Sequence, residues 1–104
     1  MQTVRAIVQA VAVPGTPERV SNTTATVTVR KFWVVAQKVG GANAGNVFLG
    51  TSTVDNATDQ QLVLAPGDYW ELDTPQHSAI NLSEVWVDAV NAADGVVGGY
   101  LPAF

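Results

Sequence analysis

Four runs in the latter half of the chain decide the fold class: NVFLGTSTV (Asn46–Val54), QQLVLAPGDYWELD (Gln60–Asp73), NLSEVWVDAV (Asn81–Val90) and DGVVGGYL (Asp94–Leu101). Each is short, rich in Val, Leu, Thr or aromatic residues, and bounded by turn signals, the grammar of strands rather than helices. Pro66-Gly67-Asp68 is a tight-turn tripeptide, because proline presets φ and glycine accepts φ > 0. Asp94-Gly95 predicts a hairpin between Val85–Val90 and the last strand. From Asn46 to Leu101 there is no Lys, Arg or Cys and a single His. Such a segment builds strands and presents a surface, but holds few of the groups that catalysis needs.

Toward the N-terminus the pattern continues. In Thr24–Lys38, Ala25, Val27 and Val29 alternate with threonines, and after Arg30-Lys31 the apolar phase passes to Phe32, Val34 and Ala36. A one-residue phase change predicts a β-bulge, or a strand buried on both faces beyond it. Thr3–Val13 predicts a long strand with Val4, Ala6, Val8, Ala10 and Ala12 on its apolar face and Thr3, Arg5 and Gln9 on the other. Pro14-Gly15-Thr16-Pro17 ends it. Glu18–Asn22 is a connection or short edge piece, Gly40–Asn46 a flexible loop, and Val54–Gln61 a polar loop. Leu82–Val85 is the one weak helical candidate. The prediction is a single domain, 1–104, with an all-β antiparallel sandwich or small barrel, jelly-roll-like, of seven or eight strands at roughly 8–12-residue spacing. The N-terminal strand is expected beside the long Thr24–Lys38 strand.

At 104 residues the chain is long enough for one modest core. Its charged fraction, 13%, is about half the usual ~25%. A surface so poor in charge suits a protein that buries much of itself against neighbours. All five bases (Arg5, Arg19, Arg30, Lys31, Lys38) precede residue 39, and every acid but Glu18 follows it. Basic and acidic strands paired within one sheet account for this; the functional counterpart is a basic patch facing the acidic patch of a neighbouring copy, or an acidic lattice. A net charge of −4 argues against nucleic acid as a partner. No cysteine is present, which excludes a disulfide framework. No apolar run approaches the ~20 residues of a membrane span, and Arg5 and Gln9 interrupt any leader-like pattern; the expectation is a soluble, unprocessed chain.

Catalytic chemistry is sparse. His77, the single histidine, lies in Thr74-Pro75-Gln76-His77-Ser78 without a G-x-S-x-G elbow, and is expected to be exposed filler. Glu71 and Asp73 share a strand face, and Glu84 and Asp88 are candidates to meet them across a sheet, but carboxylate pairs are common by chance among so many acids. Asp55-Asn56-Ala57-Thr58-Asp59 offers oxygen ligands without the glycine and distal glutamate of an EF-hand loop. The expectation is no catalytic residue, no cofactor and no metal. Trp33, Trp70, Trp86, Tyr69 and Tyr100 fill the core or form a sugar-stacking platform. Trp86 stands apart: by alternation it shares a face with Glu84 and Asp88, outside the core.

The elements Val47-Phe48-Leu49-Gly50, Leu64-Ala65-Pro66-Gly67, Leu82-Ser83-Glu84-Val85-Trp86-Val87 and Gly95-Val96-Val97-Gly98-Gly99-Tyr100 resemble a β-sandwich module recurrent in tailed-bacteriophage virion proteins. The resemblance covers about half the chain, rests on turn-and-strand grammar, and leaves the first 45 residues without a signature. It implies a non-enzymatic virion structural protein, foremost a capsid decoration protein bound to the major capsid protein or another virion protein, as a homo-oligomer, expected to be a trimer, with neither nucleic acid nor membrane as partner. The alternative is a carbohydrate- or receptor-binding module of a tail, fibre or head fibre. The predicted subunit contact is the C-terminal hairpin, anchored by Trp86 and flanked by Tyr100, with Arg30 or Lys31 of one copy facing Glu84 or Asp88 of the next.

Overall fold

In the computed structural model, which describes residues 4–75 and 78–103, the chain is built from strands and one short 3-10 turn. The strands are β1 (Arg5–Ala10), β2 (Glu18–Arg19), β3 (Thr28–Val35), β4 (Gln37–Lys38), β5 (Gly41–Ala42), β6 (Val47–Gly50), β7 (Leu62–Leu64), β8 (Tyr69–Asp73), β9 (Ile80–Asn81), β10 (Trp86–Ala89) and β11 (Gly95–Pro102). The turn, Leu82–Glu84, falls on the weak helical candidate.

Two antiparallel sheets carry the architecture. The first has the order β1-β11-β3-β8, with β9 also on β3; the second has the order β2-β10-β6-β7. Leaving aside the small β4–β5 hairpin and β9, the main strands number eight. In chain order, the first sheet then holds the first, eighth, third and sixth, and the second sheet the second, seventh, fourth and fifth. That order is a jelly roll, the double-sheet solution in which most connections cross from one sheet to the other.

The core forms because each sheet turns alternate residues inward. Ile7, Val29, Phe32, Val34 and Val96 from the first sheet meet Val47, Leu49, Leu64, Val87 and Ala89 from the second, with Leu82, Val11 and Val20 closing the ends. Phe48 and Val54 are also buried but lie outside this cluster. Phe48 alternates with Val47 and Leu49, so it faces the other side of the second sheet, where Asn56 ties the covering loop to the Ala89 carbonyl (3.0 Å). The expected polar loop is therefore a lid on that sheet, with Val54 as its buried residue.

The turns follow their residues. Gly67 takes φ 87° behind Pro66, and the Asp68 amide closes the turn on the Ala65 carbonyl. The predicted phase change at Arg30-Lys31 is present: Leu101 pairs with Lys31 but Pro102 with Val29, so Arg30 is the extra residue of a bulge.

Other expectations are corrected. β1 pairs with β11, not with β3; the last strand inserts between them. The faces of β1 are also reversed, since Ile7, Gln9 and Val11 are buried while Val4 and Val8 are exposed. The face with Arg5 and Gln9 also carries Ile7 and Val11, and the core takes these bulkier side chains in place of the alanines. The segment after β10 is no hairpin: β10 and β11 belong to different sheets, and Asn91–Asp94 is an arch between them. Gly95 is needed there for a close approach, because a Cβ would strike the Gln9 carbonyl; the positive φ, 71°, falls on Ala93. Gly40–Asn46 is a pinned segment. Asn43 exchanges both amide hydrogen bonds with the Gly95 backbone, standing in for a strand (2.8 and 3.2 Å).

Candidate functional site

Of the predicted contact residues, Trp86, Glu84 and Asp88 lie on the second sheet and the turn before it, whereas Arg30, Lys31 and Tyr100 lie on the first. Trp86 opens β10, opposite Gly50 on one side and Arg19 on the other. Its phase is as expected, with Val87 and Ala89 facing the core. The ring is half-buried, with the Arg19 guanidinium 4.3 Å from its centroid. The cation that meets Trp86 is thus Arg19 of the same chain, a stacking worth about 0.5–1 kcal/mol at a surface. Together they form a ridge between two polar clefts of about 390 and 480 Å³, the second edged by Glu84.

Asp88 does not face a neighbour. It is fully buried under the Pro14-Gly15 turn, with Oδ1 accepting from the Gly15 amide at 3.0 Å. Alternation places it outward correctly, but the N-terminal loop folds over that position. Lys31 is half-buried and lies 3.4 Å from Glu71 of the adjacent strand. Arg30 is exposed on the bulge, and Tyr100 packs against the core. The predicted contact residues therefore lie on two sheets and not on one hairpin, and Asp88 is not open to a neighbour.

The Asp55, Asp59 and Asp94 carboxylates are engaged internally, while Asp88 Oδ2 is buried without a hydrogen-bond partner among the described residues. Asp55 Oδ1 accepts the Ala57, Thr58 and Asp59 amides and Oδ2 the Thr58 hydroxyl. These bonds, led by that from Ala57, hold its pKa down from 3.8 to about 2. Asp59 accepts from the Thr53 hydroxyl and the Gln61 amide. Buried Asp94 takes the Ala44 and Gly45 amides, with Lys38 at 3.8 Å. Among the described residues no group of three or more His, Cys, Asp or Glu side chains is placed to hold a metal. His77 lies outside the described residues.

The outward face of the first sheet is the feature that sequence reading missed. Register places Ala6, Val8 and Ala10 of β1, Val97 and Gly99 of β11, Trp33 and Val35 of β3, and Tyr69 and Glu71 of β8 on one side. Val4 (57%), Val8 (54%) and Tyr69 (56%) are exposed. Trp33 lies across Gly99, where an added Cβ would come within 2.8 Å of the ring. Glu71 and Lys31 rim the face. The Tyr69 hydroxyl donates to Glu71 (2.8 Å), which lowers the Glu71 pKa, aided by Lys31, and raises that of Tyr69. The alternation of Trp33 and Val35 against Phe32 and Val34 carried this signal, as a strand apolar on both sides. Trp70, by contrast, points inward and packs edge-on against Phe32 at 5.6 Å.

No protein-family model, curated protein or solved structure matches this chain.

Proposed function

We propose that this chain is a non-enzymatic virion structural protein of a tailed bacteriophage. It acts as a decoration protein that binds the major capsid protein on the head surface, as an oligomer, and stabilises the shell. The observation that carries the reading is the apolar outward face of the first sheet, Val4 to Tyr69, on a chain this small. Contiguous apolar faces on small proteins are surfaces that meet other macromolecules. The jelly-roll order supports it by analogy, since capsid and lectin domains share that architecture. So does the internal engagement of Asp55, Asp59 and Asp94, which leaves those carboxylates occupied by the fold. Purified protein added to heads lacking it should co-sediment to saturation and raise the temperature at which the shell opens. Tyr69→Asp should weaken that binding. Heads that take up no protein contradict the proposal.

A second reading, a carbohydrate- or receptor-binding module, is favoured by Trp33 and Tyr69 beside Glu71 and Lys31 on the same face. Aromatic faces stack on sugars while such polar groups bond the hydroxyls. Glycan-array binding lost in Trp33→Ala would select this reading, and Trp33, not Trp70 or Trp86, is the residue to test.

A further inference from the structure

Among the described residues the two main sheets have four edges, of which three are protected and one is open. β2 and β7 are two and three residues long. β8 carries Glu71 and Asp73 and is bracketed by Pro66 and Pro75. Short length, charge and proline are the usual means of blocking edge-to-edge pairing. β1 is six residues long and has no proline, and its one charge, Arg5, stands at its first position; among the described residues β11 is its one hydrogen-bonded strand neighbour, and Ala6, Val8 and Ala10 are exposed and uncharged.

The backbone groups of this edge can be placed. Val11 donates to the Asp94 carbonyl and accepts from Ala93. By the alternation of an antiparallel ladder, the N–H and C=O of Arg5, Ile7 and Gln9 face β11, and those of Ala6, Val8 and Ala10 face the open edge. The next outward amide, Ala12, is capped by Glu18 Oε2 at 2.8 Å, which ends the open run there.

We infer that β1 pairs antiparallel with β1 of a second copy of this chain about a two-fold axis at Val8, joining the two first sheets into one. Val8 then pairs with Val8 of the partner subunit, and Ala6 with Ala10 of the partner subunit. Every outward group of the open run finds its complement. The same register sets Val4 opposite Ala12 of the partner subunit. Arg5 thereby comes to the end of the strand where Glu18 of the partner subunit sits, an opposite-charge contact made twice by symmetry. A two-fold contact uses the same patch on both copies and closes. The assembly is thus a pair, not the trimer expected from the resemblance. Pairing through β8 would instead set Glu71 and Asp73 against an apolar strand. The inference rests on the edge alone and not on the virion reading, so the two fail separately.

Sedimentation across about 1 μM to 1 mM tests it, with dissociation expected inside that span for a contact made by one short strand pair. The wild type should pass from monomer to dimer. Val8→Lys and Val8→Glu should each weaken association roughly tenfold or more, because like charges meet at the axis, and an equal mixture of the two should restore a heterodimer. Val8→Pro removes a donor from the open edge but none facing β11, so it should stay folded by circular dichroism and monomeric. A wild type monomeric throughout, a trimer, or a dimer indifferent to these changes would overturn the inference.

Discussion

Asp94 does at one position what a strand does along its length. Its carboxylate, with no exposed surface, takes the amides that begin the approach to β6 and tethers the arch before β11. Asp94→Ala leaves those part-buried amides without a partner, and urea unfolding should register a loss of about 2–4 kcal/mol. Asp55 organises its loop in the open, and its effect is seen in pH. Its folded pKa, about 2, lies below the ordinary 3.8, so its contribution is complete above 3.8 and lost as pH falls toward 2. Hydrogen exchange at Ala57 and Thr58 should therefore accelerate, relative to the rest of the chain, between pH 3.8 and 2, and in Asp55→Ala at any pH. The sequence at this scale indicates residue type and face but not cover. Asp88 stands on the outward face, as alternation requires, yet a loop over 70 residues away in the chain buries it.

Among elements, turns with local causes were legible and partners were not. Pro66-Gly67 and the bulge at Arg30 are written in adjacent residues, and both occur. Which strand lies beside which depends on crossings between sheets, so Asp94-Gly95 reads as a hairpin and is an arch. The consequence is measurable. Gly95→Ala drives a Cβ into the Gln9 carbonyl, whereas Gly41, in the small β4–β5 hairpin, has nothing within 4 Å. Gly95→Ala should cost about 3 kcal/mol or more, as overpacking with backbone displacement does. Gly41→Ala should change stability by less than about 1. Equal thermal shifts would mean that β1 does not lie against β11 as described.

For the molecule as a whole, composition and alternation led to the right fold class, a jelly-roll sandwich, because strand grammar and strand spacing are local properties that survive without knowledge of topology. The apolar outward face of the first sheet was not legible. The subunit contact was expected around Trp86, whose ring meets Arg19 of its own chain. The open edge and apolar face emerge only when β1 takes the rim of its sheet with Ile7 inward. The uneven charge of the two halves is met in part inside the chain, by Lys31 with Glu71 and Lys38 with Asp94. The apolar face of the first sheet is what remains to be covered, and a capsid surface is the proposed cover. Quantitative mass spectrometry of purified phage particles tests this most directly. The account predicts the protein in stoichiometric proportion to the capsid subunit; its absence from washed particles would contradict it.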